Sequence, residues 1–331
     1  MKKIFAVLKS RITRLIIGGV LLYLIITRFQ IKILDIAHSI EDPRFIFLAL
    51  FISICINIFI SAKRWQIFLK FSGINYALVH LIKINVMSSF YGLLLPSGQA
   101  MDGFRIYMIE KRFPEKRGTS GSTVIADRLI GFIIFCFIAC FGSFYLPETS
   151  AVPQIKAAIF IFTGSLILLS AVIVNHSMYK VVSNILTRIN FLRSVFNYLE
   201  KLHEGLIRQP YYKIIPKAGP LIFMYQINNI LIAHFIFLAY DIHLPFSYHL
   251  ALIPVIQILT ILPVSLASLG YREGLFIYFY QLADVPQNIS FSVSLTYFML
   301  TGLTISLIGG LVSLAEGTRF KGLSAKAKDT S

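Results

Sequence analysis

Six charged side chains stand in a chain that has little reason to hide charge: Asp102 and Arg105, Asp127 and Arg128, Arg272 and Glu273. Each set joins an arginine to a carboxylate one to three positions away, inside or beside an apolar run. Arginine presents a planar fork of donors suited to phosphate, and helix ends broken by Pro or Gly leave unpaired amides that also favour anions. Holding an Arg near a bilayer centre costs roughly 2.5–3.5 kcal/mol on insertion scales, so these groups need partners or a wet cavity. Arg105 and Arg272 are therefore expected to face each other and bind a phosphate, with Asp102, Glu273, Asp127 and Arg128 beside them. Two blander readings accompany this one. The acids neutralise the arginines as structural pairs, and Asp127 and Arg128, near a helix end, reach for the interface.

Signatures of other chemistry are missing. The chain has no Gly-x4-Gly-Lys-Ser/Thr loop for ATP, no Asp-x-Asp pair for a metal-bound sugar nucleotide and no His-Glu-x-x-His. Pro-Ser-Gly-Gln at 96–99 approaches the Pro-Ser-Gly-His of membrane lipid phosphatases, but Gln99 replaces the required His. The seven histidines are scattered; His234, inside an apolar run, reads as a proton relay or, more simply, a packing hydrogen bond. Cys55, Cys136 and Cys140 lie in apolar runs and behave as small hydrophobes. No catalytic residue, metal or cofactor is expected, and the chain reads as a non-enzyme.

The elements that hold these residues are written in the composition. Of 331 residues, 56% are apolar and only 14% charged, which argues against a cytosolic enzyme and against disorder. Charge-free runs at 45–62, 129–147, 157–179, 218–240, 242–271 and 285–315 are long enough to cross a hydrocarbon core of roughly 30 Å. The formal charge of +16 is assigned to topology and anionic lipid headgroups rather than to nucleic acid. Basic residues precede the first run and follow the last, so both termini are expected in the cytoplasm of a multi-pass cell-membrane protein.

An even number of crossings follows. Six spans are expected, at about 12–29, 44–62, 121–146, 156–175, 218–240 and 290–314. The second deposits Lys63, Arg64 and Lys70 on the cytoplasmic side. Two further stretches, 78–118 and 248–283, are interrupted by Gly and Pro and are read as re-entrant broken-helix hairpins, with irregular backbone buried in protein. Residues 176–210 keep a helical apolar period and read as an amphipathic helix on the membrane face.

The two hairpins share a pattern. Residues 94–109 read LLPSGQAMDGFRIYMI and residues 261–276 read ILPVSLASLGYREGLF, so that Pro96, Gly103, Phe104 and Arg105 map onto Pro263, Gly270, Tyr271 and Arg272 at one offset of 167. The same offset carries the flanking spans onto one another, and the charge-derived topology makes the repeats inverted. Inverted repeats with broken helices at matching places mark transporters whose site lies between the halves. One all-α membrane domain is expected over 1–331: repeat 1 at about 44–146, a linker and amphipathic stretch at 150–217, repeat 2 at about 218–314, and a basic cytoplasmic tail at 315–331.

Four blocks carry a resemblance: KRWQIFLKFSGI at 63–74, LPSGQAMDGFR at 95–105, ADRLIG at 126–131 and LPVSLASLGYREG at 262–274. In these the chain resembles the lysylphosphatidylglycerol synthase transmembrane region, also known as the flippase-like uncharacterised protein family 0104. Family members usually show Gly-Gly-Asp-x-x-Arg; here Asp102 and Arg105 are kept and the glycines are Ala100 and Met101. Gly270, Tyr271, Arg272 and Glu273 keep the second block. In its best-known members this region is fused to a soluble aminoacyl-transferase domain, and the resemblance implies flipping of the modified lipid. About 17 residues follow the last span here, so lysyl transfer is not expected from this polypeptide. Stand-alone relatives often accompany polyprenol- or dolichol-linked sugar pathways.

The resulting expectation is a lipid translocase that moves an anionic phospholipid or a polyprenyl-phosphate-linked sugar between leaflets without ATP. Its partner is a membrane lipid with a phosphate headgroup; a glycosyltransferase or lipid-modifying enzyme as partner and a homo-oligomer are both allowed. The alternatives are an integral-membrane glycosyltransferase or other transferase acting on lipid-linked sugars, with Asp102, Asp127 or Glu273 as base, and a non-transporting partner of such an enzyme.

Overall fold

The computed structural model describes residues 39–94, 100–146, 152–174, 202–262, 264, 265 and 268–328, together with Thr27. The span expected at 12–29, most of the surface helix expected at 176–210, and Pro96 and Pro263 of the hairpins lie outside the described residues. The described residues are helical with connecting turns, and there is no strand among them. The chain is a polytopic all-α membrane protein.

In order, the helices are α1 (Pro43–Phe71), α2 (Leu78–Leu94), α3 (Ala100–Arg112), α4 (Thr119–Phe144), α5 (Val152–Val174), α6 (Tyr211–Ala239), α7 (Phe246–Leu259) and α8 (Tyr271–Gln281). The last, α9, joins Gln287–Phe298, a π-helical segment Met299–Leu303 and Thr304–Lys328. Within these, α1, α4, α6 and Gln287–Glu316 of α9 are long and apolar enough to cross a membrane. The shorter pairs α2–α3 and α7–α8 occupy the places expected of the two hairpins.

Local chemistry explains the ends of α1. Asp42 caps its start by accepting from the Arg44 amide at 3.0 Å, and Pro43 fills the first turn, where no amide is needed. The helix runs on to Phe71, nine residues past the expected end at 62. Beyond that point it buries Arg64, Trp65, Phe68 and Leu69, a spacing that keeps one stripe turned inward. Arg64 is thus an interior residue, not the cytoplasmic surface charge expected of it. Gly73, with φ of +77°, ends α1 in a Schellman turn: Ile74 N–H donates to Leu69 O at 2.8 Å and Gly73 N–H to Lys70 O at 3.1 Å.

The same turn closes α6. Ile242 N–H donates to Phe237 O at 3.0 Å and Asp241 N–H to Leu238 O at 3.1 Å, with Asp241 at φ of +57°. Helices α1 to α4 and α6 to α9 therefore repeat at an offset close to 167, and the first helices of the two repeats run antiparallel. The Glu41 amide reaches Ala239 O at 2.8 Å, Phe45 stacks on Phe235, Asn57 donates to Asn229, and Gln209 reaches Ser72. Equivalent helices that lie antiparallel are related by an axis perpendicular to their length, so the repeats are inverted.

The hairpin arms cross between repeats. Helix α2 packs on α9 and α7 packs on α4. A glycine sits at each crossing, and the two are 167 positions apart. A Cβ on Gly142 would meet Leu250 Cβ at 2.6 Å and Ala251 N at 2.7 Å, and one on Gly309 would overlap the carbonyl oxygen of Val86. Lipid tails are as apolar as leucine, so helix association in a bilayer relies on such close approaches and on interhelical hydrogen bonds. Trp65 Nε1 donates to Thr123 Oγ1 at 3.1 Å, Gln226 Nε2 to Gly131 O at 2.9 Å and Ser306 Oγ to Ser89 O at 3.0 Å. The opposite faces carry exposed Phe47, Phe51, Phe137, Phe141, Leu307 and Leu311, as a lipid-facing surface requires. One π-helical segment, Ile52–Asn57 in α1, meets the other in α9, where Ser53 Oγ donates to Leu300 O at 3.0 Å.

Candidate functional site

Asp102 lies in the first turn of α3, where the helix dipole favours a carboxylate. One turn on, Arg105 projects from the same face, and its Nη1 reaches Asp102 Oδ1 at 3.3 Å. Arg128 of α4 approaches from the other side and grips both oxygens of Asp102, Nε to Oδ2 at 2.9 Å and Nη2 to Oδ1 at 3.0 Å. This is the bidentate fork that makes Arg–carboxylate pairing strong. Its neighbour Asp127 points instead to α1, with Oδ2 at 3.3 Å from Arg64 Nη2.

Two aromatic rings hold the free faces of the guanidinium groups. Arg105 Cζ stands 4.3 Å from the centre of the Trp65 ring and Arg64 Cζ 4.3 Å from that of Tyr225 on α6, a geometry in which the negative face of the ring attracts the cation. The five charges are three arginines and two aspartates, an excess of one positive charge. Arg64 is 3% exposed, Arg105 2% and Asp127 1%. Among the described residues, Arg64 Nε and Arg105 Nε and Nη2 find no acceptor. A buried donor without an acceptor is costly, and here the unspent donors belong to cations.

Two cavities adjoin this cluster. The first, of about 150 Å³, is lined by Arg64, Arg105 and Arg128 with Asn57, Ser61, Asn85, Ser88, Ser89 and Thr301. The second, of about 230 Å³, is lined by Arg64, Asp127 and Arg128 with Gln226, Asn229, Gln257 and Thr260. Arg64, Met101, Arg128 and Tyr225 border both. The walls come from both repeats, so the cavities lie between the halves, as expected of a site in an inverted-repeat protein.

Arg272 and Glu273 are placed differently. Arg272 Nη2 meets Glu273 Oε1 at 2.5 Å, its Nε reaches Ser294 Oγ at 3.4 Å, and its Cζ lies 4.5 Å from the Phe298 ring centre. Glu273 Oε2 accepts from the Gly270 amide at 2.6 Å, tying down the start of α8. Ser294 stands where the repeat puts Asp127, 167 positions earlier. Arg272 lines neither cavity; the two arginines expected to face each other sit in separate clusters, and the one in the second repeat is already paired. Glu273→Gln should accordingly lower stability by about 3–5 kcal/mol, because Arg272 stays behind as a buried charge without its carboxylate. It should leave anion binding by the first repeat unchanged, which titration of the purified variant checks.

His234 packs against Phe246 and His249 in the second repeat, where His249 Nδ1 pairs with Tyr280 Oη at 2.9 Å. It lines neither cavity.

Sequence reasoning brought Asp102, Arg105, Asp127 and Arg128 to one place and missed Arg64, Trp65, Tyr225 and Asn85. A signal for Arg64 existed, because Asn57, Ser61 and Arg64 recur at the i, i+4, i+7 spacing of one helix face. Tyr225 and Asn85 come from other helices and carry no such mark.

Comparison with known proteins agrees with this architecture. A family model described as the lysylphosphatidylglycerol synthase TM region matches residues 11–309. A UPF0104 membrane protein from Methanocaldococcus jannaschii is 27% identical over 109 residues, 33% of this chain and 32% of its own length, so the match spans about a third of that relative. No solved structure matches the chain.

Proposed function

The chain belongs to the lysylphosphatidylglycerol synthase transmembrane-region family of membrane proteins, and from that premise we propose that it carries anionic lipid between leaflets, seating the headgroup phosphate on Arg105, Arg64 and Arg128. The observation that supports this reading is the buried excess of positive charge, whose unspent donors border a cavity between inverted halves. A phosphate supplies both the missing charge and the missing acceptors. Inverted halves around one site give alternate exposure when one half rocks against the other. Candidate lipids are an anionic phospholipid and a polyprenyl-phosphate-linked sugar, and the movement needs no ATP.

The decisive measurement is leaflet-resolved flux of a fluorescent anionic lipid in proteoliposomes. Wild-type protein should speed it and Arg105→Lys should slow it at least tenfold, because lysine keeps the charge and loses the planar fork. Wild-type flux from a well-expressed Arg105→Lys protein defeats the phosphate seat. The proposed orientation has its own check. In a chain freed of Cys55, Cys136 and Cys140, cysteine at exposed Glu115 should label from the cytoplasm and cysteine at Asp241 from outside. Labelling of both from one side overturns the expected hairpins.

A further inference from the structure

The larger cavity contains a group that a phosphate seat does not use. Asp127 is buried beside Arg64, yet among the described residues neither of its carboxylate oxygens accepts a hydrogen bond. An ionised carboxylate has about four acceptor sites, and a buried one left unsatisfied is costly. Around it stand Gln226, Asn229 and Gln257, each amide group having made one donation and keeping a second N–H, and Thr260, whose hydroxyl donates to Gln257 O and keeps lone pairs that accept. Asn57 Oδ1 and Asn85 Oδ1, on the adjoining cavity, also lack a donor among the described residues. The pair of cavities thus offers unspent acceptors next to an anion seat.

Those acceptors are met by an ammonium or by hydroxyls. Arg64 and Arg128 line the same cavity as Asp127, so an ammonium there would lie against two guanidinium groups in a low-dielectric setting, where like charges repel strongly. Hydroxyls meet no such repulsion. Each donates to a carboxylate or amide oxygen and accepts from an amide N–H, which is the mix these residues present. Resting on the phosphate seat of the preceding section, we propose that the headgroup bears a polyhydroxylated group, a sugar or a polyol, esterified to its phosphate. Its hydroxyls donate to Asp127 in the larger cavity while the phosphate occupies Arg105 in the smaller. Asp127 is then the residue that selects among phosphate-bearing lipids.

Trp65 provides the readout. It is the single tryptophan of the chain and lies under the Arg105 guanidinium, so its emission reports on the phosphate seat. The full chain in detergent micelles is titrated with inorganic phosphate, glycerol 1-phosphate, glucose 1-phosphate and phosphoethanolamine, following emission and melting temperature. At least one polyol ester should bind tenfold or more tightly than inorganic phosphate, and phosphoethanolamine no more tightly than inorganic phosphate. Preference for the glucose ester assigns a glycosyl-phosphate lipid, and preference for the glycerol ester a glycerol-headed phospholipid. Asp127→Asn should cut the polyol advantage, read as the ratio of ester to phosphate affinity within that variant, below threefold, and Thr260→Val should reduce it in the same direction.

The ligand series on the unmodified chain decides the matter even where a variant fails to fold. If phosphoethanolamine equals or exceeds both esters, or neither ester exceeds inorganic phosphate, the polyol subsite is wrong. The phosphate seat survives that result so long as Arg105→Lys abolishes the phosphate response. If inorganic phosphate and the esters all leave both signals unchanged, the seat itself is wrong and the subsite falls with it.

Discussion

Asp102→Asn should be the most damaging single change in the site. The side chain keeps its shape and loses its charge, so three arginines and two aspartates become three arginines and one, and the buried excess rises from one positive charge to two. Asp102 accepts one bond from Arg105 and two from Arg128, and it is 8% exposed. Water therefore does little to replace it. Removing one partner of a buried ion pair costs about 3–5 kcal/mol, because the other charge stays behind. The expected result is a large fall in melting temperature of the purified protein and no measurable lipid flux. Adding Arg128→Gln restores the original excess and should recover part of the stability, a coupling of about 0.5–3 kcal/mol for groups in direct contact. If Asp102→Asn melts within about 1 kcal/mol of wild type, the network is not held by charge pairing.

Gly309→Ala should be nearly as severe, for a different reason. The added methyl would overlap the carbonyl oxygen of Val86, and a backbone atom cannot rotate away as a side chain does. Overpacking a tight contact costs about 1–3 kcal/mol and occasionally more, and this crossing belongs at the upper end because helices α2 and α9 must separate. The equivalent Gly142→Ala meets Leu250 Cβ and the Ala251 amide and should be damaging too. Gly164, with nothing within 4 Å of an added Cβ, is the control. Gly164→Ala should express and melt as wild type. Equal behaviour of all three alanine variants would mean that the crossings are looser than the structure has them.

The spans expected at 44–62, 121–146, 218–240 and 290–314, each met by a long apolar helix, and the repeat were legible because each rests on a local pattern. A charge-free run marks a membrane helix, and Pro, Gly and Arg in the same order mark equivalent places at one offset. The end of α1 was not legible, since Lys63, Arg64 and Lys70 together look like a loop at the membrane surface. The polar stripe of Asn57, Ser61 and Arg64 points to an inward face, and the neighbours Asp127 and Tyr225 make Arg64 an interior residue. Similarly, Arg105 and Arg272 are alike in sequence position and unlike in surroundings. What separates them is the residue one helix away: Asp127 in the first repeat, Ser294 in the second. Burial is also hard to read from runs of Leu, Ile and Phe, because a helix that faces lipid on one side and protein on the other is apolar on both. The cavities follow from which helices meet, and no local spacing encodes that.

The crossed arms have a mechanical consequence. Helix α2 is a wall of the first half but its close partner is α9 of the second, and α7 stands likewise on α4. The halves are clasped, so neither has a complete surface without the other. A half expressed alone would present its long helix with a glycine groove open to lipid and its own arm unsupported. Displacement of either half must drag the opposite arm with it, since the glycine contacts leave no room for slip. Loosening on one face of the membrane is therefore coupled by geometry to tightening on the other, and the linkage is made of two backbone contacts rather than of any hinge.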